Sequence, residues 1–385
     1  MPSVLILGGR APAALDHARR FARSGWTVHV GDSVPCRLAG WSRSVAGTVA
    51  LAPPRQAPAR FAADLSRAIA AHRIDLVLPT CEEVFYLSRY RSALPAQVRV
   101  LADDFDTLAR LHSKWHFLGL AQGCGANVPE SARVRTIGEA REWAAGAPLV
   151  LKPEYSRFGV HVRIHPQGLP ADAPALPPMG DWIAQRHHAG RELCSYAVAD
   201  RGRLLANAVY RPSHRLRRSS SYYFAAEPTP AIDAFVAAFV LKLGFTGQVS
   251  FDWIIGEDGR ATVIECNPRA TSGLHLFAPG DDVPAAVAGT GSGMLQPDAA
   301  RAAMIAPMML TVGLASAIAR GALPAWWRDW RRADDVITAP GDSRPLPGAL
   351  ADLGSYARLA LAQGCNLREA ATRDIEWDGE PLPAP

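Results

Sequence analysis

Phe251-Asp252-Trp253 and Ile264-Glu265-Cys266-Asn267-Pro268-Arg269 lie on two apolar runs joined by Gly256-Glu257-Asp258-Gly259. Asp-Gly between apolar runs is a strong hairpin signal, so Gly247 to Ile255 and Ala261 to Glu265 read as paired strands. The pairing brings Asp252 beside Glu265 and Asn267. Glu265 and Asn267 are two apart and face the same side of their strand, so three oxygen ligands converge on one point. A hard cation such as Mg2+ takes oxygen ligands, keeps some waters and is commonly shared with nucleotide phosphates. Arg269 lies on that side too and can meet phosphate charge bidentately. The plain alternative is a hairpin of ordinary polar residues, but uncompensated carboxylates in apolar strands are costly.

Working outward, β-rich segments run from about residue 147: Pro148 to Lys152, Val160 to His165, Trp182 to Gln185, Leu193 to Val198 and Leu204 to Tyr210, then a helix at Ala231 to Leu243. Pro166 to Gly180 reads as a surface loop. Over roughly the first 110 residues helices and strands alternate instead. Val4 to Leu7 reads as a buried strand, Gly8-Gly9 as a turn, Ala13 to Arg23 as a helix stopped at Ser24-Gly25, and Thr27 to Val30 as the next strand. Helices at Phe61 to His72 and Glu82 to Tyr90, with strands at Ile74 to Pro79 and Gln97 to Leu101, continue the alternation. That pattern argues for a parallel sheet covered by helices on both faces. Gly8-Gly9-Arg10-Ala11-Pro12-Ala13 departs from the G-x-G-x-x-G of a dinucleotide site, so a NAD site is not expected.

The hairpin resembles that of the ATP-grasp superfamily, with its E-x-N-P-R ending and an acidic residue on the preceding strand. The resemblance is to the carbamoyl phosphate synthetase, biotin carboxylase and D-alanine ligase relatives, and it spans residues 1 to about 280. It implies Mg2+, or Mn2+ in its place, on Asp252, Glu265 and Asn267. Lys114, in Leu111-His112-Ser113-Lys114-Trp115, resembles the first phosphate-binding basic residue, and Lys152, in Leu149-Val150-Leu151-Lys152-Pro153, the second. Glu154 to Gly159 takes the place of the glycine-rich loop over the phosphates, with Gly159 its single glycine. Trp182 to His188 resembles the strand leading to the linker that reads adenine: Gln185 would accept from the exocyclic amine and His187 would offer backbone groups. Glu192 matches the ribose-binding glutamate. The bland alternatives are lysines at helix caps or strand edges and surface ion pairs for the others.

The fold the resemblance implies is of mixed α/β and α+β class. An N-terminal Rossmann-like parallel-sheet domain (residues 1–112) would precede a two-subdomain ATP-grasp fold (113–190 and 191–300, the second carrying the metal hairpin). A C-terminal extension (301–385) follows, whose role the sequence does not assign. The implied activity is that of an ADP-forming carboxylate-amine ligase, with Lys152 and Arg269 catalytic. It would activate a carboxylate as an acyl phosphate and pass it to an amine, giving an amide or peptide bond. Two alternatives stand beside it: carbamoyl-phosphate-synthetase-like or kinase-type phosphoryl transfer without an amine, and a non-catalytic nucleotide-binding protein.

At 385 residues and 49% hydrophobic, the chain can bury two or three domain cores. A formal charge of +5, spread along the chain, does not call for nucleic acid; the resemblance implies small-molecule acids and amines as partners. The six cysteines show no CxxC or Cys/His ligand spacing, and no basic n-region precedes the first strand, so a reducing cytoplasm is expected. Four further features invite a role. Glu82-Glu83 follows a strand end where such sheets place ligand contacts. Tyr210 to Tyr223 is dense in cations and hydroxyls and reads equally as an anion site or a solvated loop. His275 lines an acceptor pocket or is a satisfied core histidine. Trp326, Trp327 and Trp330, mixed with arginines, suit a membrane surface, a hydrophobic substrate entrance, packing on the body or a homodimer contact. Asp374-Ile375-Glu376-Trp377-Asp378-Gly379 carries no mechanistic reading from sequence.

Overall fold

The computed structural model describes the chain apart from residues 36, 158, 160, 216–220 and 385 and the side chain of 368. Five strands, β1 (Ser3–Leu7), β2 (Thr27–Asp32), β3 (Gly47–Ala50), β4 (Leu76–Leu78) and β5 (Arg99–Val100), make a parallel sheet in the order β3-β2-β1-β4-β5. The central strands β1 and β4 are buried along their whole length, as a sheet covered on both faces requires. β3, with Val49 as its one large apolar residue, is an edge strand that leaves no readable pattern. Gly8 has φ 71°, and a Cβ there would stand 2.6 Å from Thr80 Oγ1. The turn glycine thus lets the ends of β1 and β4 close on each other.

Two further sheets follow. The smaller holds β6 (Ser131–Val134), β7 (Leu149–Pro153), β8 (Arg163–His165) and β9 (Trp182–Arg186) in the antiparallel order β6-β9-β7-β8. The larger holds β10 (Arg191–Asp200), β11 (Arg203–Arg215), β12 (Ser221–Ala226), β13 (Gly247–Ile255), β14 (Ala261–Asn267), β15 (Ala302–Met304) and β16 (Asp334–Asp335). Its order is β14-β13-β10-β11-β12-β15-β16, so the chain beyond residue 300 supplies its last two strands. Tyr210 to Arg215 and Ser221 to Tyr223 are paired strand, not solvated loop. The remainder of that basic stretch, 216–220, lies outside the described residues.

The hairpin β13–β14 is held from behind by aromatic packing. Phe251 and Trp253 alternate with Asp252 and so face the opposite side. Phe251 meets Phe239 (5.1 Å between ring centroids) and Phe235 (5.5 Å) of the helix Pro230–Leu243, and Phe117 (5.8 Å) of the helix Lys114–Gly123. Each fully buried ring contributes about 1.5–3 kcal/mol. The carboxylates in front therefore sit on a rigid backing.

The helix Pro12–Arg23 buries polar residues as well as apolar ones, because protein covers both its faces. Arg19 donates to the carbonyls of Val336 and Ile337 and pairs with Asp342 at 2.8 Å. Arg20 donates to the carbonyls of Phe277 and Ala278. Asp16 pairs with His275 at 2.8 Å, so His275 is a satisfied core histidine and not a pocket residue. Of the alternatives open for the tryptophans, packing on the body is what Trp326 and Trp330 do. Trp326 is buried with its Nε1–H donated to the Met309 carbonyl, and Trp330 stacks on it at 5.6 Å. The two are four apart on the helix Leu323–Arg332 and share its inner face. Of the three, Trp327 alone is exposed. Among the described residues no helix is long and apolar enough to cross a membrane.

Candidate functional site

The predicted hairpin register is observed. Ser250 pairs with Asn267 and Asp252 with Glu265, so both carboxylates and the amide share one face. Between Asp252 and Trp253 the register slips by one residue, Trp253 pairing with Val263. Ile264 is left without a cross-strand partner, as in a β-bulge. Its carbonyl accepts instead from Lys152 Nζ at 2.9 Å. The irregularity thus ties the small sheet, through β7, to the hairpin of the large one.

Lys114 comes from a third element. Ser113 caps the helix Lys114–Gly123 by accepting from the His116 N–H, and Lys114 opens its first turn. Its Nζ donates to the Ser156 carbonyl at 2.7 Å and lies 3.7 Å from Glu265 Oε1. Lys114 and Lys152 are both buried, at 2% and 4% exposure. Burial brings the Lys152 pKa down to about 8, with the Glu265 charge pulling the other way. Burial pushes the Asp252 carboxyl up to about 6, and the neighbouring Glu265 charge adds to the rise. Two facing carboxylates whose charges oppose one another form a donor set that suits a hard divalent cation. Asn267 Nδ2 donates to Asp252 Oδ2 at 3.3 Å and its Oδ1 accepts from Arg269 Nη2 at 3.2 Å, so ligation by Asn267 requires its amide to turn over.

Arg269 also approaches Glu82, with Nε 3.6 Å from Oε1. Glu82, 3% exposed, pairs with Arg157 Nη1 at 2.5 Å, which links the parallel sheet's edge to this cluster. Glu83 turns elsewhere: its Oε1 accepts the backbone N–H groups of Thr80 and Cys81, each at 2.9 Å. Sequence reasoning missed the part played by Arg157. It lies inside the Glu154 to Gly159 loop, where an arginine among few glycines is the signal that could have found it. Glu154 was missed too; it is buried and accepts from Ser113 and from Arg133 at 2.8 Å. Cys194, opposite Asp252 on β10, is a further neighbour, and burial raises its thiol well above the usual range.

The residues expected around a base and a sugar are less tightly assembled. Gln185 pairs with Val150 across β9 and β7, two positions from Lys152, so Gln185 and Lys152 share a face. Its Nε2 donates to Ser131 Oγ at 3.3 Å. His187 donates its backbone N–H to the Pro148 carbonyl at 3.1 Å. Glu192 is two residues before Cys194 on the Asp252 side of β10 and pairs with Arg215.

In sequence, no protein-family model and no curated protein matches the chain. Solved structures match it in shape. N5-carboxyaminoimidazole synthetase from Staphylococcus aureus in complex with ADP is similar with a TM-score of 0.59 at 12% identity, covering 77% of this chain and 80% of that one. L-amino acid ligase from Bacillus licheniformis gives 0.60 at 16%, covering 78% of each chain. Biotin carboxylase from Campylobacter jejuni, in a β-γ-ATP complex, gives 0.61 at 13%, covering 77% and 72%. The chain has the ATP-grasp fold: a Rossmann-like parallel sheet followed by a four-stranded antiparallel sheet and a seven-stranded sheet that is antiparallel except for its last pair.

Proposed function

We propose that this protein is an ATP- and Mg2+-dependent ligase that activates a carboxylate as an acyl phosphate and joins it to an amine. One observation carries the reading. Two buried lysines, Lys114 and Lys152, meet Asp252, Glu265, Asn267 and Arg269 where the small sheet faces the large one. Buried cations beside half-buried carboxylates are expensive unless a ligand of mixed charge completes the balance, and a metal-bound triphosphate is such a ligand.

In this reading Lys114 and Lys152 bind the phosphates. Gln185 and the His187 backbone border the adenine, and Glu192, released from Arg215, holds the ribose. Asp252, Glu265 and Asn267 would hold Mg2+, which supplies charge neutralisation between the phosphates when bound. A substrate carboxylate oxygen forms a bond to the γ-phosphorus as the bond to the β-phosphate oxygen breaks, releasing ADP. Arg269 lies against the charge that spreads over the transferring group. The amine then bonds to the acyl carbon, phosphate leaves, and the nitrogen loses its proton to solvent. Residues 1–112, 113–190, 191–300 and 301–385 would be the acceptor-side domain, the two halves of the clamp and the extension.

ADP release measured with Mg2+ and a panel of acids and amines, singly and together, tests the reading. The expected result is ADP only with both, and a product whose mass is acid plus amine less water. Turnover with an acid or bicarbonate alone would replace it with phosphoryl transfer or carboxylation. ATP binding without ADP under every pairing would make the chain a nucleotide-binding protein.

A further inference from the structure

The acidic segment near the C-terminus, which the sequence left without a role, lies across the candidate site's edge. Asp374, Glu376, Asp378 and Glu380 fall at every second position. Each finds a guanidinium. Asp374 pairs with Arg10 at 2.7 Å, Asp378 and Glu380 pair with Arg55 at 3.0 Å each, and Glu376 pairs with Arg157 at 3.1 Å. Tyr86 Oη–H donates to the Glu376 carbonyl at 2.5 Å, and the Arg55 N–H donates to the Asp374 carbonyl at 2.9 Å. Between these polar ties Trp377 is buried against Phe85 (5.0 Å) and Phe105 (5.2 Å) of the N-terminal region.

On its other side the same segment holds the 154–157 loop. Tyr155 packs edge-on against Trp377 at 5.2 Å. It also covers Gly379, where a Cβ would stand 2.5 Å from the ring at a φ of 89°. Arg157 is divided between Glu376 and Glu82. Ser156, between Tyr155 and Arg157, gives its carbonyl to Lys114 Nζ, and Glu82 in turn faces Arg269. Each contact passes the segment's position to a cation of the cluster.

We propose that Asp374–Glu380 is a strap that pins the 154–157 loop to the N-terminal domain, with Glu376 and Gly379 as positioning residues that set Lys114 and Arg269 for the nucleotide phosphates. The strap rests on the ATP reading above for its consequence, but not for its geometry. A glycine-poor phosphate loop needs such a tether less for closure than for placement, since the loop's own carbonyl orients Lys114.

The experiment compares full-length wild type with Glu376→Gln, which keeps shape and removes charge, and Gly379→Ala, which lifts Tyr155 without touching any charge. Asp342→Asn, in the same C-terminal region but bonded to Arg19 and Ser42 and not to the loop, is the control for a merely structural loss. Hydrogen exchange of the 154–157 amides without nucleotide should accelerate at least about fivefold in both strap variants and stay at the wild-type rate in the control. Mg-ADP affinity by calorimetry should weaken by about three- to tenfold in the same two variants. Unchanged loop exchange in both strap variants, or equal acceleration in the control, overturns the strap. If wild type takes up no Mg-ADP, the ATP reading is what fails, and the exchange comparison still decides the strap.

Discussion

Lys152→Met is expected to lower ADP formation by about 100- to 1,000-fold while the protein stays folded, because the charge it removes is one the fold would be more stable without. The Lys152 ammonium is 4% exposed and donates to a neutral acceptor, the Ile264 carbonyl, at 2.9 Å. Its pKa is brought down to about 8 because burial and the Lys114 charge together outweigh the pull of Glu265 and Asp252. A group in that position weakens stability unless a ligand supplies the missing negative charge. Methionine fills the same volume with no charge, so rate and stability should move oppositely: a large loss of turnover with a melting temperature equal to or above that of wild type. Thermal melts beside initial rates of ADP release make the comparison. A fall in melting temperature with turnover kept would mean that Lys152 serves packing alone.

Which parts of this could be read from the sequence follows from the range of the interactions. The hairpin was legible because its signals are local: Asp258-Gly259 between apolar runs, and carboxylates at alternating positions. The alternating first 110 or so residues were legible for the same reason. What stayed hidden depends on contacts between distant segments. The strand Ser131–Val134 has four residues and one large apolar side chain, and exists because β9 pairs with it. Trp326 and Trp330 look amphipathic by composition, and only the packing of Met309 and Tyr222 around them makes them core. The Ile264 bulge cannot be counted from spacing, although it creates the Lys152 acceptor. The pairing of Asp374, Glu376, Asp378 and Glu380 joins residues some 220 to 360 positions from their partners, beyond any periodicity in the chain.

Glu83→Gln is expected to open a stability gap over wild type as pH rises from 4.5 to about 7, reaching about 3 kcal/mol and holding constant above that. Glu83 is 2% exposed, its Oε1 accepts two backbone N–H groups, and its Oε2 has no hydrogen-bond partner. Burial raises its pKa to about 7 despite those two donors. The sign follows. Between 4.5 and 7 the folded chain keeps a proton that the unfolded chain has lost, so wild-type stability from this group is full below 4.5 and declines as pH rises through 7. Glutamine keeps the Oε1 acceptor and does not titrate. His17 and His112, lowered by burial to about 4 and about 3, act in the opposite sense: their stability is present above about 6.5 and is lost as pH falls. The wild-type profile alone therefore mixes the two effects, whereas the difference between the two proteins isolates Glu83. Urea midpoints at pH 5, 6, 7 and 8 give that difference, and a gap independent of pH would refute the retained proton. A Glu83 that is protonated across much of that range also separates the two acidic neighbours by role. Glu82 is the one tied to Arg157 and Arg269, so Glu83→Gln should leave any ADP formation near the wild-type rate.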